Sequence, residues 1–150
     1  MSNEVEFRGI TKNDVDELYE LLNTLSEEVK MFFHPHKFDK KTLTQICSST
    51  KDHYFVLTIN KKIIGYSMLR FFGYNIPSFG ICIRNGYEHK GYGRLMTEKT
   101  IQKALQLGYK EVILTIHKEN VRAMHLYIKT GFDITLRNPK TGEIKMKKSF

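Results

Sequence analysis

The chain has 150 residues, 41% of them hydrophobic, and a formal net charge of +8, which suits one domain with a sizeable core. No apolar run approaches the ~20 residues a bilayer needs and no signal-peptide core opens the chain, so neither a membrane protein nor an exported one is expected. Cys47 and Cys82 are too few for a disulfide framework, which points to a cytoplasmic setting, and the positive excess suggests an anionic partner such as a phosphate cofactor, an anionic substrate or nucleic acid.

In chain order, Val5 to Phe7 reads as a short strand. Thr11, with Asp14 three residues on, predicts a helix start with an acidic first turn. Val15, Leu18, Leu21, Leu22 and Leu25 then recur at helical spacing. Phe33 to Phe38 is irregular because Pro35 restricts its neighbour, and Asp39 caps a second short helix running through Cys47. Two strands, Tyr54 to Ile59 and Ile63 to Phe71, flank Asn60-Lys61-Lys62, a tight hairpin turn. Phe79 to Ile83 is a further strand. A helix follows from Gly91 to Leu107, with Leu95, Met96, Ile101, Ala104 and Leu105 as its core-facing set and Gly108 ending it. Next come a strand at 111–116, a helix at 120–130, and strands near 132–136 and 143–148. The tail from Arg137 to Lys148 carries five cations against Glu143 and reads as a solvated basic face.

Two strand-to-helix corners stand out. Glu88-His89-Lys90-Gly91-Tyr92-Gly93-Arg94 follows one strand and opens a helix. Asn120-Val121-Arg122-Ala123-Met124-His125-Leu126-Tyr127-Ile128-Lys129-Thr130-Gly131-Phe132 follows another, with Gly131 where a helix C-terminus favours a left-handed residue. An N-x-x-A-x-x-L-Y-x-x-x-G-F segment about thirty residues after a glycine loop resembles the GNAT superfamily of acetyl-CoA-dependent N-acetyltransferases. The resemblance spans roughly residues 5 to 148, a single domain over 1–150. The order β-α-α-β-β-β-α-β-α-β-β matches that fold. It implies an α/β (α+β) architecture: a mixed, mainly antiparallel twisted sheet of six to seven strands, with about four helices on its two faces.

Glycines at 91 and 93 let a phosphate approach backbone N–H groups at a helix N-terminus, where unpaired donors and the dipole favour an anion. The resemblance assigns this loop, His89 through Arg94, to the pyrophosphate of coenzyme A. The family pattern R/Q-x-x-G-x-G/A is broken at its first position by Glu88, whose carboxylate is expected to point away, with Lys90 and Arg94 making up the charge. Ile81-Cys82-Ile83 matches the strand that pairs with the pantetheine arm and polarises the thioester carbonyl, leaving a V-shaped gap for the cofactor. Asn120 and Ala123 resemble cofactor contacts, and Tyr127 the acid that protonates the leaving thiolate. Cys82 reads as a packed strand cysteine rather than an acyl carrier.

The general base is open at this level. The strand at 79–83 carries no carboxylate, and the candidates are His34 and His36, in a loop that usually roofs the acceptor site with Phe33, or else His117 and Glu119. The expected activity is acetyl transfer from acetyl-CoA to a primary amine by direct attack, with no metal. Small molecules come first as acceptors: an amino sugar, free or nucleotide-linked, a polyamine, an amino acid or an antibiotic. A protein N-terminus or lysine is the alternative, and a non-catalytic acyl-CoA sensor a second one. No helix shows a concentrated Lys/Arg face and no basic strand is rich in aromatics, which argues against nucleic acid. A homodimer is compatible with the resemblance.

Overall fold

A computed structural model of the chain describes residues 4–71 and 75–150. Its backbone is a seven-stranded sheet in the order β1-β2-β3-β4-β5-β7-β6. The strands are β1 (Val5–Gly9), β2 (His53–Ile59), β3 (Lys62–Arg70), β4 (Ser78–Ile83), β5 (Glu111–His117), β6 (Asp133–Arg137) and β7 (Glu143–Ser149). Every neighbouring pair is antiparallel except β4 with β5. Five helices complete the fold: α1 (Val15–Asn23), α2 (Glu27–Phe32), α3 (Lys40–Cys47), α4 (Tyr92–Gln106) and α5 (Val121–Lys129).

Local chemistry accounts for the elements. A 3₁₀ turn over Lys12–Asp14 leads into α1. There the Asp14 carboxylate, rather than the Thr11 hydroxyl, does the capping: it accepts the Thr11 N–H at 2.7 Å and both Arg8 Nη groups at 2.8 and 2.9 Å. Asp39 Oδ1 caps α3 through the Thr42 N–H at 2.7 Å. Asn60 and Lys61, with φ of 50° and 72°, form the two-residue turn that matches strand twist, so the hairpin closes between Ile59 and Lys62. α2 is not among the elements expected from the sequence. Ser26 Oγ accepts the Val29 N–H at 3.3 Å, with Glu27 and Glu28 in the first turn, yet none of the six residues of α2 is buried, so no apolar period announces it.

The core lies on both faces of the sheet. Leu18, Leu21 and Leu22 of α1 and Leu43 and Ile46 of α3 pack with Val56, Tyr66, Met68 and Cys82 on one face. On the other, Ile101 and Ala104 of α4 and Tyr127 of α5 pack with Phe55, Leu69, Phe79, Val112 and Met146. One expected core residue is corrected: Leu105 is 55% exposed. The buried stripe of α4 runs through Met96, Thr97, Thr100, Ile101 and Ala104, so Leu105 falls one position past it. The two threonines stay buried because each hydroxyl bonds the carbonyl four residues back, and Thr100 also meets Ser67 Oγ at 2.7 Å.

Candidate active site

β4 and β5 join at one register pair, Ser78 with Ile113, where the Ile113 N–H donates to the Pro77 carbonyl at 3.0 Å. Beyond it the strands part. Arg84, just past β4, draws that end toward β3: its backbone N–H bonds the Ile64 carbonyl at 2.7 Å, Nε the Ile63 carbonyl at 2.7 Å, and Nη1 Glu20 at 2.9 Å. Strand alternation then fixes what faces the opening. Pro77 offers its carbonyl to β5 while Arg84 pairs with β3, so the backbone groups of Ile81 and Ile83 face the gap and those of Cys82 face β3. The opening is a cleft of about 790 Å³, walled by 79–83, 114–117, the 88–94 loop and α5, and roofed by α2.

The glycine corner forms one end. Gly91, with φ of 88°, sits at the N-cap of α4, and a Cβ added there would meet nothing within 4 Å. Glycine is needed for its left-handed backbone, not for lack of space. Gly93 has an ordinary φ, and a Cβ there would touch Leu126 at 3.7 Å. Glu88, His89, Gly91, Gly93 and Arg94 line the cleft, so Glu88 stands on its wall, where the sequence reading has it turned away. Lys90 and Tyr92 do not. They line a separate depression with Lys62 and Tyr87, where Lys62 and Lys90 Nζ lie 5.5 and 5.9 Å from the Tyr87 ring centre. Arg94 is paired with Glu98 at 2.9 Å.

α5 supplies one stripe to the same wall: Asn120, Ala123, Leu126 and Tyr127, with Arg122 at the mouth. The Tyr127 ring is 6% exposed and meets Phe79 and Phe132 edge-on at 5.8 and 5.7 Å. Its hydroxyl makes no hydrogen bond among the described residues. Burial raises its pKa well above the ordinary tyrosine value, so the phenol holds its proton at neutral pH. Cys82 is 4% exposed, with its side chain in the α1–α3 core and its thiol pushed up by burial, a poor nucleophile.

The other end gathers side chains from distant segments. Glu28, Val29, Met31 and Phe32 come from α2, Phe33 and His34 from the loop after it, His117 from the end of β5, Glu119 from the turn that follows, and Glu143 from the start of β7. Phe32 stacks on His117 at 6.1 Å between ring centres. Hydrogen bonds set the histidine tautomers. His34 Nε2 lies 3.0 Å from the Met31 carbonyl, which places the proton there and leaves Nδ1 with its lone pair. His117 Nδ1 accepts the Glu119 N–H at 3.1 Å, so in the neutral ring the proton is on Nε2. His36 is not on the cleft. Its Nδ1 donates to the Lys37 carbonyl at 2.7 Å, its Nε2 accepts from Tyr66 Oη at 2.9 Å, and burial lowers its pKa. Phe33 bridges the regions, lining the cleft while its ring packs on Phe38 and Tyr66.

Of the residues expected to bind cofactor, Ile81, Cys82, Ile83, His89, Gly91, Gly93, Arg94, Asn120, Ala123 and Tyr127 meet at one cleft, while Lys90 and Tyr92 lie outside it. Glu28, Met31, Phe32, Arg122 and Glu143 are cleft residues the sequence reading does not single out. For α2 the available signal is Ser26 followed by two glutamates; for Arg122 it is a cation in a first helical turn, against the dipole.

A model of the acetyltransferase (GNAT) family matches residues 15–132. Among solved structures, the GNAT-family acetyltransferase of Streptococcus pneumoniae is 25% identical, with a TM-score of 0.78 over 98% of this chain and 100% of that one. A Thermoplasma acidophilum PaiA N-acetyltransferase, in complex with coenzyme A, is 19% identical at a TM-score of 0.78, covering 98% and 99%. A spermidine N-acetyltransferase chimera from Vibrio cholerae and hSSAT is 20% identical at a TM-score of 0.75, covering 97% and 95%.

Proposed function

Because this chain belongs to the GNAT family of acetyltransferases, we propose that its cleft passes acetyl from acetyl-CoA to a primary amine of a small, multiply cationic molecule by direct attack. Acetyl-CoA supplies an activated thioester. The residues fit it: a left-handed glycine opens α4 at one end, and the backbone groups of Ile81 and Ile83 face the gap as strand partners for an amide-bearing arm. A carbonyl held against those N–H groups is polarised, which is electrostatic catalysis of the oxyanion-hole type. Tyr127, protonated and facing the cleft, donates to the departing sulfur. His34 receives the proton of the attacking amine at Nδ1, directly or through water, because its Nε2 is held by the Met31 carbonyl. His117, with Nδ1 engaged, and His36, with both nitrogens engaged and off the cleft, are less suited. The Cys82 thiol is buried and held protonated by that burial, so no acyl-enzyme is invoked.

The observation that carries the acceptor class is a contrast of charge. In a chain of net charge +8, the roofed end of the cleft gathers Glu28, Glu119 and Glu143 from three elements. Carboxylates there favour an acceptor with further ammonium groups, as in a polyamine, and spermidine is the substrate that one structural neighbour is named for. An amine panel with acetyl-CoA, followed by thiol release, tests this. Polyamines should give the highest kcat/KM, above neutral amino sugars and lysine peptides. A preference for a nucleotide-linked amino sugar would reject the cationic acceptor, and preference for a peptide would move the activity to protein acetylation.

A further inference from the structure

The glycine corner presents a problem of charge. A pyrophosphate on the Gly91 and Gly93 amides would lie beside Glu88, which is on the same cleft wall. Helix-terminal N–H groups and a dipole give only a partial positive charge against an anion of this size. The two cations of the loop itself do not offset the carboxylate: Lys90 lies over the Tyr87 ring in the other depression, and Arg94 is engaged by Glu98 at 2.9 Å.

Arg122 is differently placed. It stands in the first turn of α5, thirty-three residues from His89, and its Nη1 meets the His89 ring across the cleft mouth. Among the described residues it has no carboxylate partner, and its guanidinium faces a ring instead of a counter-charge. A guanidinium so placed, beside two helix N-termini and without a carboxylate partner among the described residues, has the forked donor set that a pyrophosphate accepts.

Building on the acetyl-CoA reading above, we propose that Arg122 is the side-chain ligand of the cofactor's pyrophosphate, leaving the His89 ring to neutralise the charge that Glu88 opposes. The loop then supplies shape through Gly91 and backbone donors, while α5 supplies the formal charge.

The test compares Arg122→Gln, Arg122→Lys and Glu88→Gln/Arg122→Gln with the parent, using CoA, dephospho-CoA and S-acetylpantetheine. Arg122 is exposed, so the variants should unfold at the parental temperature. Arg122→Gln should weaken CoA and dephospho-CoA equally, by roughly ten- to a hundredfold, the scale of a hydrogen bond to a charged group. S-acetylpantetheine, which has no pyrophosphate, should be used as by the parent. The lysine variant should recover part of the affinity, and removing Glu88 should recover part in the glutamine background. Parental affinity for both nucleotides in Arg122→Gln would overturn the proposal. So would a loss for CoA but not dephospho-CoA, which would assign Arg122 to the 3′-phosphate. If the parent itself binds neither nucleotide, the acetyl-CoA reading fails, an outcome distinct from the failure of Arg122 alone.

Discussion

The two ends of the cleft are built on opposite plans. The end proposed for the cofactor comes from three contiguous segments, 81–83, 88–94 and 120–127, and much of what it offers is backbone: a left-handed glycine, helix N–H groups, and strand amides at Ile81 and Ile83. The end proposed for the acceptor is assembled from side chains on α2, the end of β5 and the start of β7, residues 28 to 143 of the chain. Backbone chemistry demands particular residues at fixed offsets, so it leaves a local pattern. Side-chain chemistry gathered across the fold leaves none, and is free to change acceptor while the cofactor end stays as it is.

Tyr127→Phe probes the junction of the two ends and should have the largest effect, lowering kcat by roughly 10²-fold while CoA affinity holds, the usual scale for a positioned acid. Unchanged turnover would make Tyr127 a packing residue and leave water as the donor. At the acceptor end, His34→Ala should cost about tenfold in kcat and flatten the acid limb of the pH–rate profile. His36→Ala should leave that limb in place. If it is the His36 variant that loses the limb, the tautomer assignment is wrong.

Glycines sharpen the contrast. Gly91→Ala puts a Cβ at a φ of 88° and should lower stability by about 1 kcal/mol even without cofactor. Gly93→Val, with ordinary backbone, should spare stability relative to Gly91→Ala but narrow the cleft beside Leu126 and weaken CoA. Equal loss of stability from both, measured by urea unfolding, would mean that the corner is merely crowded. The smallest effect concerns His36. Its folded pKa is depressed by burial, so below about 6.5 the unfolded chain binds more protons than the folded one. Stability should therefore fall as pH drops from 7 through 6.5 toward the folded value. His36→Gln should show a shallower decline between pH 7 and 5.5; an identical slope would place the acid sensitivity elsewhere.

The same contrast accounts for what the sequence reveals. Strand and helix order is legible because β-branched runs and helical leucine spacing report burial, and the strand-helix corners because Gly91, Asn120 and Gly131 are tied to backbone geometry. Leu105 misleads because apolar spacing at 101, 104 and 105 does not say which edge of the stripe is covered. α2 escapes because its only signals are a capping serine and two acids. Lys90 and Tyr92 share a loop with cleft residues but turn to its other side, a distinction no offset rule makes. Glu143 looks like an ordinary strand residue until β7 pairs it with His117.

The single register pair between β4 and β5 has a further consequence for how the molecule holds together. The sheet is two antiparallel ribbons, β1 to β4 and β5 to β7, stitched at Ser78 and Ile113 and backed by a shared core that includes Phe55, Phe79, Val112 and Met146. Past the stitch, each ribbon has an inner edge whose amides pair with nothing across the gap among the described residues. Such amides exchange hydrogen readily, and an open edge is a template for unwanted pairing with another chain. A ligand lying in the gap therefore acts as a missing strand. Amide protection at Ile81, Ile83 and the facing residues of β5 should rise together on cofactor binding, and protein stored with CoA should aggregate more slowly than protein stored without it.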